Sequence, residues 1–582
     1  MRGADPRERI CAWRGKQPPG SRIEGVSAPA IVRPPKPANE PVKAYAPGSP
    51  EREELRERIR RMESERLQIP LIIGGRDVET GETFEAVMPH RRQHVLAEVA
   101  KGGPEQVEQA IAAAREAHGE WSRLPWEERA AVFLRAAELL AGPWRSTLVA
   151  ATMLNQSKTV VQAEIDAACE LIDFWRFNVE FMLRIYEEQP ISSAGVWNRL
   201  EYRPLEGFVF AVSPFNFTCI GGNLSTSPAL MGNTVVWKPA TTAMVSAYYV
   251  MRVLQEAGLP PGVINLVYGS GAEIGDAALA SEHLAGIHFT GSTPVFNSMW
   301  QTIGANIAES RYRNYPRIVG ETGGKDFIVA HPSANVDAVA TAILRGSFEY
   351  QGQKCSAASR VYAPSNLWPA LRARLEEQVA ELKVGDVADF GNFMGAVIDQ
   401  KSLETQRRAI EDARNDGDTE IVVGGGVDDS EGFFVEPTVI ATKDPRFRTM
   451  VEELFGPVVT TYVYPEGQWR ETLELVESTS PYGLTGAVFS EERAAIDEAE
   501  ETLRYAAGNF YVNDKPTGAI VGQQPFGGGR ASGTNDKAGS MWNLIRWVSP
   551  RTIKETFVPP RDYRYPFLSS DGSGTSGDAD RP

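Results

Sequence analysis

Short apolar runs alternate regularly with helical segments between residues 208 and 319. The runs are residues 208–212, 234–237, 263–268, 287–289 and 317–319. Runs without polar alternation are typical of parallel strands that are covered on both faces. The alternation therefore predicts a doubly wound parallel sheet, with a ligand site at the carboxyl ends of its strands. No strict GxGxxG follows these runs, so the rhythm alone indicates only a nucleotide-binding α/β domain.

A second α/β pattern follows Gly324. It contains an apolar run at residues 327–329, a helical segment at residues 337–349 and an extended segment at residues 360–362. A chain of 582 residues is too long for one ordinary domain, and large α/β domains accommodate it. The sequence therefore predicts a second α/β domain downstream of the first.

Regular patterns are weaker towards both ends of the chain. Residues 1–48 are rich in proline, glycine and arginine without a period, and residues 569–582 are mostly serine, glycine and aspartate. Such compositions predict a disordered leader and a disordered tail. After the leader, residues 51–66 predict a charge-rich helix, and residues 67–75 and 83–88 predict a hairpin.

Composition excludes several classes of protein. A formal net charge of −16 argues against a nucleic-acid or anionic-membrane surface, and no run of about 18 apolar residues predicts a spanning helix. The four cysteines show no CxxC spacing, which favours a reducing compartment. His90 and His94 have an i, i+4 spacing but enclose two arginines and suit a strand, so we expect two surface histidines and no catalytic metal.

One cysteine lies in an unusual setting. Cys355 follows Gly352-Gln353-Lys354, and apolar packing does not require such neighbours. A thiol becomes a strong nucleophile when its thiolate is favoured and a substrate can reach it. A lone cysteine is also compatible with an ordinary half-buried thiol, so the choice depends on the rest of the chain.

Seven motifs in fixed order resemble the signature series of the aldehyde dehydrogenase superfamily over about residues 70–557. They are Ser213-Pro214-Phe215-Asn216, Trp237-Lys238-Pro239, Phe289-Thr290-Gly291-Ser292, Glu321-Thr322-Gly323-Gly324-Lys325, Gly352-Gln353-Lys354-Cys355, Glu453-Leu454-Phe455-Gly456-Pro457 and Pro525-Phe526-Gly527-Gly528. Residues 348–357, 507–515 and 531–537 narrow the resemblance to the L-glutamate γ-semialdehyde dehydrogenases, also called Δ1-pyrroline-5-carboxylate dehydrogenases. The expected form is monofunctional, because no proline dehydrogenase domain precedes the match.

The resemblance implies an aldehyde dehydrogenase-like α/β fold. The expected parts are a Rossmann-type NAD-binding domain (49–195 and 208–320), an α/β catalytic domain (321–515), a small β oligomerisation flap (196–207 and 540–558) and a substrate-anchor loop region (516–539).

The same resemblance implies three catalytic residues. Cys355 would attack the aldehyde carbonyl to form a thiohemiacetal. The side-chain amide of Asn216 and the backbone N–H of Cys355 would stabilise the oxyanion. Glu321 would act as the general base when water hydrolyses the resulting thioester.

NAD is the cofactor that the resemblance implies. The matching positions are Ser213, Lys238, Gly291, Ser292, Thr293, Pro294, Val295 and Glu453. Two positions depart from the usual pattern, since Phe296 replaces a glycine and Thr241 replaces an often acidic residue. An acidic group at position 241 would repel a 2′-phosphate, so its absence leaves tolerance of NADP open.

The substrate is expected to carry a carboxylate and an ammonium group as well as the aldehyde. Ser356, Gly518 and Ala519 would hold the carboxylate, Phe217 and Phe526 would flank the aliphatic part, and Glu170 is the candidate for the ammonium. Close relatives often have serine where this chain has Ala519. Core packing for the phenylalanines and a solvated helix face for Glu170 remain open alternatives.

The expected partners are a small semialdehyde and further copies of the chain, with neither nucleic acid nor a membrane span. A homodimer or higher homo-oligomer would form through the flap strands, and functional coupling to a separate proline dehydrogenase is plausible. The expected compartment is the cytoplasm, or the mitochondrial matrix if the arginine-containing leader is a transit peptide.

The leading function is NAD-dependent oxidation of L-glutamate γ-semialdehyde to L-glutamate, the second step of proline breakdown. One alternative is the same chemistry on another semialdehyde. A coenzyme A-acylating relative is disfavoured, because Glu321 supplies a hydrolytic base. A non-catalytic member with a binding or structural role is disfavoured too, because Cys355, Asn216 and Glu321 are all present.

Overall fold

A computed structural model describes residues 30–568. The expectations for residues 1–29 and for the tail at 569–582 lie outside the described residues. No helix within residues 30–568 combines the length and the apolar character needed to cross a membrane.

The strands in chain order are β1 (Leu67–Ile69), β2 (Leu71–Ile73), β3 (Arg76–Val78), β4 (Thr83–Met88), β5 (Arg91–Ala100), β6 (Val196–Pro204), β7 (Phe208–Ser213), β8 (Thr234–Pro239), β9 (Ile264–Leu266), β10 (Leu284–Thr290), β11 (Arg317–Glu321), β12 (Asp326–Ala330), β13 (Ala358–Pro364), β14 (Thr419–Val423), β15 (Val427–Asp428), β16 (Phe434–Val435), β17 (Thr438–Thr442), β18 (Val458–Tyr464), β19 (Tyr482–Gly483), β20 (Thr485–Phe489), β21 (Asn509–Val512), β22 (Gly529–Arg530) and β23 (Val548–Thr556).

The α-helices are α1 (Pro50–Ser64), α2 (Pro104–Trp121), α3 (Trp126–Ala141), α4 (Arg145–Gln156), α5 (Val160–Ala163), α6 (Leu171–Glu187), α7 (Thr218–Leu230), α8 (Met244–Glu256), α9 (Gly271–Ala280), α10 (Thr293–Ala308), α11 (Val336–Phe348), α12 (Trp368–Glu381), α13 (Gln400–Asn415), α14 (Arg448–Val451), α15 (Trp469–Ser478), α16 (Arg493–Thr502) and α17 (Met541–Leu544). A π-helical turn, Glu164–Glu170, joins α5 to α6, and short 3₁₀ turns occupy Glu349–Gly352, Ile545–Trp547 and Pro566–Leu568.

The first sheet has the order β11-β10-β7-β8-β9-β2-β3, and its five strands from β11 to β9 are parallel. The chain runs from β7 outward through β8 and β9, then returns to the other side of β7 with β10. Such a reversal opens a crevice at the carboxyl ends of β7 and β10, where doubly wound sheets bind ligands. The strands are almost wholly buried, which explains their unbroken apolar sequences.

The second sheet has the order β14-β17-β18-β13-β12-β20-β21, and it is parallel except for the edge strand β14. Apolar clusters cover both of its faces, with α11 and α12 on one side and α15 and α16 on the other. The predicted α/β class, with a doubly wound parallel sheet followed by a second α/β sheet, is therefore confirmed.

The two sheets meet where β11 passes into β12. Glu321 ends β11, four residues follow, and Asp326 begins β12. Cys355 precedes β13 by three residues. The nucleophile candidate thus lies at the amino ends of the second sheet, opposite the carboxyl ends of the first.

The predicted hairpin between residues 67–75 and 83–88 is wrong. β2 instead pairs with β3, and β4 pairs with β5, while β1 lies parallel to β5 in a three-stranded sheet. The turn between β2 and β3 uses Gly74 and Gly75, both with positive φ, which glycine adopts without strain. These runs are so short that pairing follows tertiary packing rather than sequence spacing.

His90 is not at the surface as predicted. Its ring is 1% exposed, and its Nδ1 lies 3.2 Å from the hydroxyl of Ser157. Burial lowers the pKa of His90 to about 4, so the ring is neutral near pH 7.

β6 and β23 form a two-stranded antiparallel ribbon. Its residue pairs run from Pro204 opposite Val548 to Val196 opposite Thr556. This ribbon occupies the positions expected for the flap. A two-stranded ribbon has two edges with unpaired backbone groups, which is a template for pairing with another strand.

The prediction of a disordered leader is wrong for residues 39–45, which we call the strap. Tyr45 is 3% exposed, its hydroxyl donates to Glu164 over 2.8 Å, and the N–H of Lys43 donates to the same carboxylate over 2.9 Å. Arg145 joins Glu164 to Glu40 of the strap. Buried charges require partners, and the polar strap supplies them.

We expect Arg145→Met to destabilise the protein strongly. The guanidinium is 3% exposed, and its loss leaves the fully buried Glu164 without a cation, which typically costs about 3–5 kcal/mol of unfolding free energy. Thermal unfolding followed by circular dichroism would measure the effect. Arg60→Met removes an exposed helical pair with Glu57 and should change stability by less than about 0.5 kcal/mol. Equal melting temperatures for the two variants would contradict the prediction.

Candidate active site

The turn before Cys355 has an unusual backbone. Tyr350 and Gln351 have φ of 53°, and Gly352 has φ of 64°. The left-handed region costs a non-glycine residue about 1 kcal/mol or more, so this turn persists only where its surroundings hold it. A Cβ at position 352 would lie 2.4 Å from the carbonyl oxygen of Gly456, so glycine is required there.

Gln351 holds this turn in place. Its Nε2 donates to the carbonyls of Ser157 and Ala396 over 2.9 and 2.6 Å, and its Oε1 accepts from the N–H of Gly395 over 3.0 Å. Gln353 similarly accepts from the N–H of Ile398 over 2.9 Å. The glutamines noted in the sequence therefore fix the loop that presents Cys355.

Gly323 and Gly324, between β11 and β12, allow the backbone at the junction of the two sheets to pass close to Cys355. A Cβ at Gly324 would lie 2.2 Å from the carbonyl oxygen of Cys355, and a Cβ at Gly323 would lie 2.1 Å from Glu453 Oε2. The N–H of Gly324 donates to Glu453 Oε1 over 2.8 Å. Cys355 and Glu453 therefore both pack closely against the Gly323-Gly324 dipeptide.

Burial and negative charge keep the Cys355 thiol protonated. The residue is 9% exposed, and its pKa is raised well above the usual range by burial and then by Asp326, Glu321 and Glu453. The charge of Glu321 acts on the thiol even though Glu321 comes from the first sheet. The structure therefore brings the predicted nucleophile and base into one electrostatic environment.

Lys354 does not serve the thiol. Its ammonium lies 3.2 Å from the carboxylate of Glu349, and burial lowers the pKa of Lys354. Its sequence position next to Cys355 therefore has a local structural role.

Asn216 also lies at the nucleophile's loop. It is 3% exposed, and its Nδ2 donates to the carbonyl of Gln353 over 3.0 Å. An amide nitrogen carries two hydrogens, so the second is available to a developing oxyanion.

A buried ion pair positions the segment that carries Asn216. Asp166 lies 2.6 Å from Lys158 Nζ and accepts the N–H groups of Thr218 and Cys219 over 3.0 and 2.9 Å at the amino end of α7. A carboxylate is favourable there because the helix amino end has free donors and positive potential. Sequence reasoning gave Asp166 and Lys158 no role, and their spacing of eight positions carries no periodic signal.

Glu321 ends β11 and faces the glycine-rich loop. Its Oε2 accepts the N–H of Gly528 over 3.4 Å, and a Cβ at Gly527 would lie 2.8 Å from Oε1. Burial raises the pKa of Glu321 well above the usual range, and the charge of Lys537 offsets part of this. A raised pKa makes the ionised Glu321 carboxylate a stronger base than an exposed carboxylate.

Ser213 and Lys238 lie together at the carboxyl edge of the first sheet, where Ser213 pairs with Pro239. The Ser213 hydroxyl accepts from Trp237 Nε1 over 2.9 Å. Burial lowers the pKa of Lys238, and within residues 30–568 no carboxylate lies within ion-pair distance of its ammonium. A half-buried cation at this edge fits a polar ligand such as a ribose.

The predicted segment Gly291, Ser292, Thr293, Pro294 and Val295 forms the turn after β10 and the start of α10. Ser292, Pro294 and Val295 are exposed, so the donors of the helix amino end can be reached by an anion.

Phe296, which departs from the expected glycine, points away from that opening. Its ring stacks on Phe289 with centroids 5.3 Å apart, and a Cβ at Gly320 would lie 2.2 Å from it. The departure therefore changes packing beneath the crevice and leaves the helix amino end exposed.

Ser356 contacts a residue that sequence reasoning missed. Its hydroxyl lies 2.8 Å from the hydroxyl of Thr517, directly before Gly518. Gly518 has φ of 95°, and within residues 30–568 no protein acceptor binds the N–H of Gly518 or Ala519. Two hydroxyls and two available N–H groups suit a carboxylate. The adjacency of Thr517 to Gly518 was the only sequence signal for it.

Phe217 and Tyr350 enclose the buried ammonium of Lys158, at 4.0 and 4.4 Å from their ring centroids. Glu170 is half-buried and accepts from Cys219 Sγ over 3.3 Å. Burial and the charge of Asp166 raise the pKa of Glu170 to about 7. Glu170 is therefore not on a freely solvated helix face.

Phe526 is half-buried and pairs through its backbone with Ala538. It directly precedes Gly527 and Gly528, which contact Glu321, so it lies beside that carboxyl.

Asp166, Glu170 and Cys219 offer atoms that all lie within 4.8 Å of one another. The ammonium of Lys158 already neutralises Asp166, and burial raises the pKa of the Cys219 thiol well above its usual range. Asp166 and Cys219 are therefore held by protein contacts, and Glu170 is the half-buried carboxyl of the three.

Comparison with known proteins gives a consistent result. The profile described as "Aldehyde dehydrogenase family" matches residues 76–553. The chain is 51% identical to "Delta-1-pyrroline-5-carboxylate dehydrogenase, mitochondrial" of Bos taurus, over 91% of this chain and 94% of the relative. The crystal structure of the Delta-pyrroline-5-carboxylate dehydrogenase of Mycobacterium tuberculosis bound with NAD has a TM-score of 0.90 and 54% identity, over 93% of this chain and 100% of that chain. Proline utilization A of Bdellovibrio bacteriovorus has a TM-score of 0.85 and 29% identity, over 91% of this chain and 54% of that chain.

We expect Cys355 to react slowly with iodoacetamide at pH 8 and faster as the pH rises, because its raised pKa leaves little thiolate. Glu453→Gln removes one negative charge and keeps an acceptor for Gly324, so it should lower the pKa of Cys355. Alkylation at pH 8, located by peptide mass spectrometry, should then be roughly threefold faster or more. Glu466→Gln changes an exposed carboxylate and should leave the rate unchanged. A slower reaction in Glu453→Gln would refute this electrostatic account.

Proposed function

This chain belongs to the aldehyde dehydrogenase family, and we propose that it oxidises L-glutamate γ-semialdehyde, the open form of Δ1-pyrroline-5-carboxylate, to L-glutamate with NAD. One observation carries the proposal. A cysteine, an amide donor and a buried carboxyl share one site with the paired hydroxyls of Ser356 and Thr517.

The reaction begins at Cys355. Its thiol releases a proton to solvent and its sulfur attacks the aldehyde carbon. The C–S bond forms as the C=O π bond opens, which gives a tetrahedral thiohemiacetal. The second amide hydrogen of Asn216 and the N–H of Cys355 bind the oxygen as it becomes negative. Because Asn216 is already fixed by its bond to Gln353, these donors need no reorganisation at the moment of reaction.

Oxidation of the thiohemiacetal leaves a thioester on Cys355. NAD, when bound, supplies the acceptor of the hydride. Glu321 then takes a proton from water as water attacks the thioester. Its contact with Gly528 is long, at 3.4 Å, so the carboxyl can turn towards the thioester at little cost.

The first-sheet crevice fits a dinucleotide. Lys238 offers an ammonium without a carboxylate partner in the described chain, and the exposed start of α10 offers backbone donors for a pyrophosphate. The Glu453 carboxylate, which contacts Gly323 and Gly324 beside Cys355, would accept a hydrogen bond from a ribose hydroxyl. Ser213, Gly291, Ser292, Thr293, Pro294 and Val295 complete the proposed cofactor residues.

The substrate carboxylate would bind Ser356 and the N–H groups of Gly518 and Ala519. Thr517 fixes the Ser356 hydroxyl and so orients this group. Ala519 keeps its backbone donor and lacks a hydroxyl. Phe217 and Phe526 would line the aliphatic part of the substrate.

Glu170 is the proposed carboxylate for the substrate ammonium. Its pKa of about 7 means that it is only partly ionised in the empty site, and an approaching ammonium would favour the ionised form.

The β6–β23 ribbon supports the proposal that copies of the chain associate. Proline utilization A is larger than this chain, which covers 54% of it, and its name refers to the use of proline. This relationship favours functional coupling to a proline dehydrogenase. The three described cysteines are free thiols, which fits a reducing compartment, and the mitochondrial name of the bovine relative favours the matrix over the cytoplasm.

We expect the purified chain to form NADH, read at 340 nm, when it is given Δ1-pyrroline-5-carboxylate and NAD. Cys355→Ala should abolish turnover because no covalent intermediate can form. Cys169→Ala alters another buried thiol, whose pKa is raised to about 12 by burial, and should retain activity. Turnover of succinate semialdehyde but not of this substrate would refute the substrate assignment. Inactivity on every aldehyde would favour a binding role.

We expect Glu321→Gln to separate the two halves of the reaction. The amide cannot accept a proton from water, so a stoichiometric burst of NADH should be followed by turnover at least 100-fold slower than the parent. Stopped-flow absorbance would measure the burst, and mass spectrometry would detect the acyl group on Cys355. Glu309→Gln, on the surface, should show parental turnover. A variant that lacks both burst and acyl group would place Glu321 in an earlier step.

A further inference from the structure

The front of the anchor loop, residues 516–524, faces the candidate active site. Thr517 lies 2.8 Å from Ser356, and the N–H groups of Gly518 and Ala519 lie one and two positions later. The direction of these N–H groups depends on the backbone of the loop. Gly518 adopts φ of 95°, and it has no side chain that could fix this conformation. The contacts that hold the rest of the loop therefore also orient the N–H groups of Gly518 and Ala519, which are proposed to donate to the substrate carboxylate.

The rear of the loop packs against α6. Val521 is 5% exposed in the main core, and Gly522 has φ of 82° with a Cβ position 2.3 Å from the ring of Phe177. The carbonyl of Ile520 accepts from the N–H groups of Gln523 and Gln524, both over 3.0 Å, which makes one tight turn.

A residue of the strap completes this rear anchorage. Asn39 Nδ2 donates to the carbonyl of Val521 over 2.8 Å and to Asp173 Oδ2 over 2.8 Å. Its Oδ1 accepts from Gln523 Nε2 over 2.9 Å. The Asn39 amide thus joins the loop to α6. Its two contacts with the loop link residues more than 480 positions apart in the sequence.

The strap does not need these loop contacts in order to stay in place. Glu40 accepts from Arg145 and Arg176, and its N–H donates to Asp173 over 2.7 Å. Lys43 and Tyr45 bind Glu164 further along. The bonds from Asn39 to Val521 and Gln523 therefore act on the loop rather than on the strap.

We propose that Asn39 is a positioning residue for substrate recognition, which holds the anchor loop so that the N–H groups of Gly518 and Ala519 point at the substrate's carboxylate. The inference rests on the proposed function for the identity of the substrate. The residue touches no reacting atom, so its loss should weaken substrate binding and leave the chemical step and NAD binding intact.

The test compares the full-length parent with Asn39→Ala and Asn39→Asp. The alanine variant loses all three bonds, and the near-isosteric aspartate loses both donations and places a second carboxylate beside Asp173. Each should raise the KM for Δ1-pyrroline-5-carboxylate roughly five- to tenfold, with kcat and the KM for NAD within twofold of the parent. Calorimetry should show a similar weakening for L-glutamate, which needs no turnover.

Hydrogen exchange read by mass spectrometry supplies a direct view of the loop. Peptides that cover residues 516–524 should exchange faster in both variants, while peptides from α11 should not change. Val42→Ala is the matched control, because Val42 belongs to the strap and is 54% exposed. It should match the parent in kinetics and in loop exchange.

Each failure has a distinct signature. Unchanged KM, glutamate affinity and loop exchange in Asn39→Ala would overturn the inference while leaving the proposed function in place. An equal fall in kcat or in NAD affinity would also overturn it, since that pattern indicates general destabilisation. A parent that neither turns over the substrate nor binds L-glutamate would instead refute the proposed function, and faster loop exchange in the variants would still support the positioning role.

Discussion

The active site depends on the close backbone approach at Gly323 and Gly324. This dipeptide leaves the first sheet after Glu321 and starts the second sheet at Asp326, and it passes so near Cys355 that a Cβ at Gly324 would meet the nucleophile's carbonyl at 2.2 Å. The base, the nucleophile and Glu453 come from distant parts of the sequence, yet each contacts or neighbours these two residues. A methyl group at position 323 or 324 would push the neighbouring residues apart. The spacing of the candidate catalytic groups therefore depends on the absence of a Cβ at both glycines.

Burial sets the charge state of the resting site. The pKa values of Cys355, Glu321 and Asp326 are all raised, that of Glu453 is raised to about 7, and that of the buried Lys325 is lowered to about 7. Each shift favours the neutral form, because an unpaired charge is costly away from water. The groups nevertheless lie close enough to influence one another, so a bound ligand that brings charge or donors will change their ionisation together. Chemistry is therefore coupled to occupancy of the site.

Local sequence patterns predicted the strands and turns that depend on interactions between residues near one another in the sequence. Apolar runs and glycine-containing turns revealed the strands of both sheets and the motifs at their ends. The resemblance carried by those motifs implied catalytic roles for Cys355, Asn216 and Glu321. The errors concern contacts without a sequence period. The strap looked disordered because its polar residues gain order from partners such as Arg145, Glu164 and Asp173, which lie more than 100 positions away. The pairing of β1 to β5, the burial of His90 and the turning of Lys354 to Glu349 depend on tertiary packing in the same way.

Catalysis and substrate recognition are held by different kinds of structure. Glu321 lies at the end of β11, and Cys355 lies on a loop whose carbonyl packs against Gly324 at the junction of the two sheets. The N–H groups proposed to donate to the substrate carboxylate lie on a loop that the polar strap and α6 hold from behind. Side-chain hydrogen bonds are easier to change than sheet packing, since each contributes about 1 kcal/mol. Substitutions in the strap or in the loop can therefore alter the choice of semialdehyde while the thiohemiacetal and thioester chemistry continues unchanged.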